Sequence, residues 1–169
     1  MAMKVFNVGD VLAAADVNEY LVNTRVAVKG ADTTRSSNTT LSNDPDLSVA
    51  IDASKTYWLE AMIAIQSPVA AGFRFQFTAP AGIAFTGIYQ AALAAATSSV
   101  VFDGSGNLIT SIFSIGTDGA GIEDVLMFRG VLVVAGTGGN LTFQWSQTTS
   151  NATSTIVRKN SALLLTRRS

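Results

Sequence analysis

The side chains that most often carry chemistry are scarce in this chain. Its 169 residues include no Cys and no His. Neither a Ser-His-Asp triad nor a Cys-His pair can therefore be assembled. Zinc and haem sites of the usual kind lack their imidazole and thiolate ligands, and no disulfide framework is possible. Carboxylates, hydroxyls and glycine loops remain. Asp103-Gly-Ser-Gly-Asn107 opens like a calcium loop, but Ser114 stands where the bidentate Glu belongs, so a hairpin turn is the better reading. Gly136-Thr-Gly-Gly-Asn140 has the glycines of a phosphate cradle, without the Lys-Ser/Thr or the helix that should follow. Paired carboxylates can hydrolyse glycosides without His or Cys. Glu60 is the one acid set mid-strand among apolar neighbours, yet nothing places a second acid beside it. Glu123 and Asp124 are adjacent, so on a strand they point to opposite faces. The simpler reading of Glu60 is an exposed or interfacial partner of Arg74 or Arg129. No catalytic, metal or cofactor site is expected, and the chain does not read as an enzyme.

Composition narrows the partners. The chain is 48% hydrophobic and 14% charged, with 11 basic and 12 acidic residues and a mean hydropathy of +0.34. Nucleic acid needs a concentrated basic patch, and the pairs Arg158-Lys159 and Arg167-Arg168 read instead as solvated ends. Apolar runs are interrupted well short of the roughly 18–20 residues that span a bilayer. Met1–Phe6 has no apolar signal region, so synthesis in the cytoplasm is expected. So much apolar surface with so little charge predicts burial against copies of the chain or a partner.

The elements change period near residue 30. Val11–Val22 reads as a short helix, with Val17, Tyr20 and Leu21 on one face, Asp10 as N-cap and Asn23 at its end. Isolated, it would be marginal, so its apolar face must dock on something. From Thr33 onward the period is two. Tyr57, Leu59, Ala61, Ile63 and Ile65 alternate with Trp58, Glu60, Met62, Ala64 and Gln66. Phe73, Phe75 and Phe77 alternate with Arg74, Gln76 and Thr78, and Leu141, Phe143 and Trp145 with Thr142, Gln144 and Ser146. Val125–Val134 is apolar on both faces, as in a central strand or one facing a subunit contact. Weaker strands are expected at Ser48–Ile51, Ile83–Phe85, Ser99–Phe102, Ile109–Ile115, Thr155–Val157 and Leu163–Thr166. Turns are expected at Asn43–Asp46, Ala79–Gly82, Asp103–Asn107, Thr117–Gly119 and Gly138–Asn140. The Ala-rich stretch Ala91–Ala96 fits a helical turn or a loop. About ten short strands between such turns predict an all-β, jelly-roll β-sandwich.

The string Phe6-x-x-Gly9-Asp10-Val11-Leu12-x-Ala14-x-Asp16-Val17-Asn18-x-Tyr20-Leu21-x-Asn23 resembles the opening of actinobacterial tailed-phage virion proteins. These are the minor tail and head-fibre or capsid decoration proteins. Arg35–Asp44, Leu47–Ile51 and Asn140–Gln147 with Asn151-Ala-Thr153 resemble their β-rich domain. Ala13 stands where that family has Thr, which leaves Asp10 as the helix cap. The resemblance implies a homotrimeric jelly roll of the tumour-necrosis-factor/C1q shape on the virion surface. Residues 1–30 would dock on the major capsid protein, or on tail proteins, through Phe6, Val11, Leu12, Val17, Tyr20 and Leu21. Residues 31–169 would form the trimerisation domain. Candidates for its three-fold interface are Tyr57, Leu59, Phe143, Trp145, Leu163 and Leu165, although a period of two does not tell core from interface. The alternative is a minor tail or baseplate protein that attaches to a host surface glycan by stacking Tyr57, Trp58, Tyr89 or Trp145 on sugar rings.

Overall fold

Apolar residues at every second position can be hidden only if strands pair and a second sheet covers them. In a computed structural model, which describes residues 7–11, 13, 23–92, 100–105 and 108–168, the chain does this with two antiparallel sheets. The strands are β1 (Thr24–Val28), β2 (Thr33–Arg35), β3 (Ser42–Ile51), β4 (Thr56–Ser67), β5 (Phe73–Thr78) and β6 (Ile83–Ala92). They continue as β7 (Val100–Ser105), β8 (Phe113–Ile115), β9 (Gly119–Val134), β10 (Gly139–Gln147), β11 (Thr155–Val157) and β12 (Ala162–Arg167). The larger sheet runs β1-β12-β4-β9-β6-β7, with β11 beside β4 and β2 beyond it. The smaller runs β3-β10-β5-β8.

The pairings nest. β1 pairs with β12, β2 with β11, β3 with β10, β4 with β9, β5 with β8 and β6 with β7, all antiparallel. The chain is thus one long two-stranded ribbon that turns back between β6 and β7. Rolling it up adds the lateral pairs β5 with β10, β4 with β11 and β12, and β6 with β9.

Between the sheets lies one core. Phe73, Phe75, Phe77, Phe143 and Trp145 from the smaller sheet meet Tyr57, Tyr89, Phe128, Leu163 and Leu165 from the larger. Phe75 meets Tyr89 and Phe128 edge-on at centroid distances of 5.6 and 5.8 Å, the geometry that ring quadrupoles favour.

Several expectations need correction. The side-chain pattern predicts neither β1 nor β2: they are short, and Arg25 and Arg35 break the apolar alternation. β1 belongs to the larger sheet, so residues 24–28 are not part of a separate docking segment ending at residue 30. Asn43–Asp46 is no free turn but a bulge within β3, whose register against β10 jumps between Gln144↔Asn43 and Thr142↔Ser48. Pro45 has no N–H for a ladder, and the bulge accommodates it. Asp103–Ser105 lies in β7, paired with Thr86–Ile88, rather than in a turn. Ile109–Ile115 divides into a 3-10 turn, Leu108–Thr110, and β8. Ala91 and Ala92 end β6, while the rest of the Ala-rich stretch lies outside the described residues. So do Phe6, Leu12, Val17, Tyr20 and Leu21, and with them nearly all of the expected helix. Val11 is described and exposed. Before it, the Asn7 N–H donates to the Asp10 carboxylate at 2.7 Å, closing a turn in which Gly9 has φ +97°.

Candidate assembly surface

The six residues expected to line a three-fold interface do not reach the surface. Tyr57, Leu59, Phe143, Trp145, Leu163 and Leu165 are all 0% exposed within a single chain. They are core, because the alternating set to which each belongs faces the opposite sheet. Tyr89 is buried as well, so three of the four aromatics considered for sugar stacking are enclosed; Trp58 is partly exposed.

The opposite alternating set builds a different surface. On the outer face of the larger sheet, registered neighbours form rows across β1, β12, β4, β9 and β6. One row runs Val26, Leu164, Glu60, Arg129, Ile88, and the next runs Val28, Ala162, Met62, Met127, Gln90. Trp58 pairs with Val131 in the row on the other side. Antiparallel sheets that face water carry polar residues outward. Here Val26, Val28, Met62, Ile88, Met127 and Val133 retain between 38% and 59% of their surface. A shallow groove of about 350 Å³ lies at the centre, lined by Met62, Met127, Ile88, Leu164, Glu60 and Arg129.

Glu60, the one candidate acid, sits in this field. Its Oε1 is 3.1 Å from Nε of Arg129, the cross-strand neighbour. Both side chains are substantially exposed, so the pair adds little stability in water. Among the described residues no three His, Cys, Asp or Glu side chains gather as a metal site.

The outer face of the smaller sheet is mostly polar, with Ala50 the apolar member of the set that includes Ser48, Thr142 and Gln144. Gln76 donates to Gln144 at 2.5 Å, and Gln144 to Asn43 at 2.7 Å. Ser48 and Thr142 hydroxyls meet at 2.7 Å. This is a hydrated face whose polar groups satisfy one another across the strands. One chain therefore presents two outer faces of opposite character. The signal for the apolar one was present in the alternation of Trp58, Met62 and Ala64 and in the doubly apolar β9. What the period left open was which set turned inward.

No family model matches the chain, and no significant match is found among curated proteins. Among solved structures, the chain is similar to the tripod from the baseplate of bacteriophage Tuc2009, with 12% identity and a TM-score of 0.29, over 99% of this chain and 75% of that one. It is also similar to a structure of infectious bursal disease virus, Gx strain, with 14% identity and a TM-score of 0.19, over 86% of this chain and 37% of that one. At TM-scores this low, neither likeness carries a statement about the architecture or role of this protein.

Proposed function

We propose that the protein is a structural component of a tailed-phage virion, a homotrimer held to the particle by its N-terminal segment. The fold reading is a jelly roll: β3-β10-β5-β8 faces β4-β9-β6-β7, the order that a rolled, nested ribbon produces. The N-terminal resemblance to phage virion proteins supports the role. The observation that carries the assembly is the contrast between the two outer faces, one hydrated and one apolar, because an apolar face of this extent marks a surface made to be covered. Capsid decoration is favoured over a tail position, since these 169 residues show no repeat or heptad pattern of an extended fibre. We assign it no catalysis. Attachment to a glycan is the weaker reading, because Tyr57, Tyr89 and Trp145 are enclosed.

Because β1 starts at Thr24, the informative deletion removes residues 1–22 and leaves the sheet intact. The truncated protein is expected to remain folded and oligomeric and to be absent from purified particles. Incorporation at wild-type stoichiometry would overturn the anchoring role. Imaging of whole particles separates a capsid from a tail position.

A further inference from the structure

The apolar outer face of the larger sheet is covered, we infer, by other copies of this chain, turned inward toward their common axis. This names the contact surface for the oligomer proposed above and rests on that reading. It replaces Tyr57, Leu59, Phe143, Trp145, Leu163 and Leu165 as the interface.

Three observations favour a copy over an unlike partner. The first is size. Five strands about 4.8 Å apart, crossed by seven residues at about 3.4 Å each, make a face of on the order of 600 Å² in projection. A standard protein–protein interface buries about 800 Å² per partner, which side-chain relief brings within reach. The second is composition. Met62 and Met127 lie side by side among apolar neighbours, and the charged residues Asp32, Glu123, Arg158 and Lys159 border Met62 on one flank, the pattern of an interface centre with a polar rim. The third is charge. Among the described side chains, the ionic groups at the centre are Glu60 and Arg129, 42% and 66% exposed. An acid and a base side by side complement a copy of themselves: when copies meet, Arg129 of each can reach Glu60 of a neighbour as well as its own. A strongly charged partner, such as nucleic acid or an anionic membrane, would find neither net charge nor a basic patch there.

The outer face of the smaller sheet serves as the control. Gln144 is half-buried in the polar ladder, and a charge there meets water. Met62→Glu and Met127→Glu put an acid at the middle of the apolar rows while leaving the inward set untouched.

Sedimentation of the full chain at tens of micromolar is the test. Wild type and Gln144→Glu are expected to sediment as the same oligomer. Met62→Glu and Met127→Glu should shift toward monomer, with circular dichroism unchanged and the apparent dissociation constant raised at least tenfold. An oligomer unaffected by either Met variant would overturn the face but leave the virion reading standing. A wild-type monomer would overturn both the face and the trimer. A face-dependent oligomer that never enters particles would overturn the virion reading alone. Should the variants fail to fold, hydroxyl-radical footprinting of the wild type decides. Met62 and Met127 should be protected in the oligomer and oxidised on dilution to monomer. Equal oxidation in both states would overturn the inference.

Discussion

Lys29 and Asp44 form an ion pair in the interior, with Lys29 Nζ 2.9 and 3.0 Å from the two Asp44 oxygens and both side chains 0% exposed. Burying two charges costs several kcal/mol each unless every lone pair and proton is used. Here they are used. Thr33 Oγ1 lies 2.6 Å from Nζ. Asp44 Oδ1 accepts the Asp46 and Leu47 backbone N–H groups, and Oδ2 accepts the Trp145 indole N–H at 3.0 Å. The bulge in β3 delivers Asp44 inward, and the pair ties the end of β1 to β3 and β10. Asp44→Asn leaves Lys29 with only the more distant Asp46 Oδ2, at 3.4 Å, as a carboxylate partner, and should cost up to about 3–5 kcal/mol. Urea unfolding would measure it. Combined with Lys29→Met, the loss should be well below the sum of the single losses; simple additivity would mean the two charges do not act as a unit.

Moving the expected interface residues into the core changes what their substitution should do. Phe143→Ala should cost about 3–5 kcal/mol and Leu163→Ala about 2–5 kcal/mol, the range for large cavities in a packed interior. Both should do so without selectively weakening association of the folded fraction. Thermal melts beside sedimentation of the folded species would check this. Dissociation at unchanged stability would return these residues to an interface.

Gly87 of β6 and Gly130 of β9 face each other in register. A Cβ on Gly87 would lie 2.3 Å from the Arg129 carbonyl oxygen and 2.6 Å from the Phe85 ring. On Gly130 it would lie 2.5 Å from the Thr86 carbonyl oxygen and 2.7 Å from that ring. Phe85, on the same face as Gly87, covers the bare backbone of both strands. Gly130→Ala should therefore cost on the order of 1–3 kcal/mol, as overpacking does. Chemical denaturation would show it, and Phe85→Ala should relieve part of the penalty in the double variant.

The acid limb of stability should depend on Asp52. Arg25 Nη2 lies 2.5 Å from Asp52 Oδ2, and the Tyr57 hydroxyl donates to the same oxygen while accepting the Asp52 N–H. The hydrogen bond from Arg25 is the main cause that holds this carboxyl below its usual range, against the opposing effect of partial burial. A depressed folded-state value means the stabilisation is present above the unfolded value, about 4, and is lost as pH falls through the folded one. Wild type should thus exceed Asp52→Asn in urea midpoint at pH 7, with the gap closing on acidification. The effect should be modest, since the carboxylate is half exposed. A gap independent of pH would remove Asp52 from the account.

Strands were legible where the alternation was long and strong. β4, β5 and β10 were expected on their own side-chain patterns, and Thr155–Val157 coincides with β11. β1 and β2 were not, because a strand of five or three residues with an Arg inside gives too short a period to read. Asp44 looked like a turn residue because Pro45 beside it is a turn signal; its role as a buried anion depends on Lys29 and Trp145, which are distant in the chain. Glu60 was legible as an ion-pair partner, and of its two candidate partners only strand pairing could select Arg129. By itself the sequence determined which chemistries lack their side chains and where residues alternate with a period of two. The tertiary structure decided which alternating set is core and which is surface. A local period is unchanged when a strand is turned over, and only packing against the opposite sheet distinguishes the two orientations. That decision enclosed Trp145 and Leu163 and left Met62 and Met127 outside.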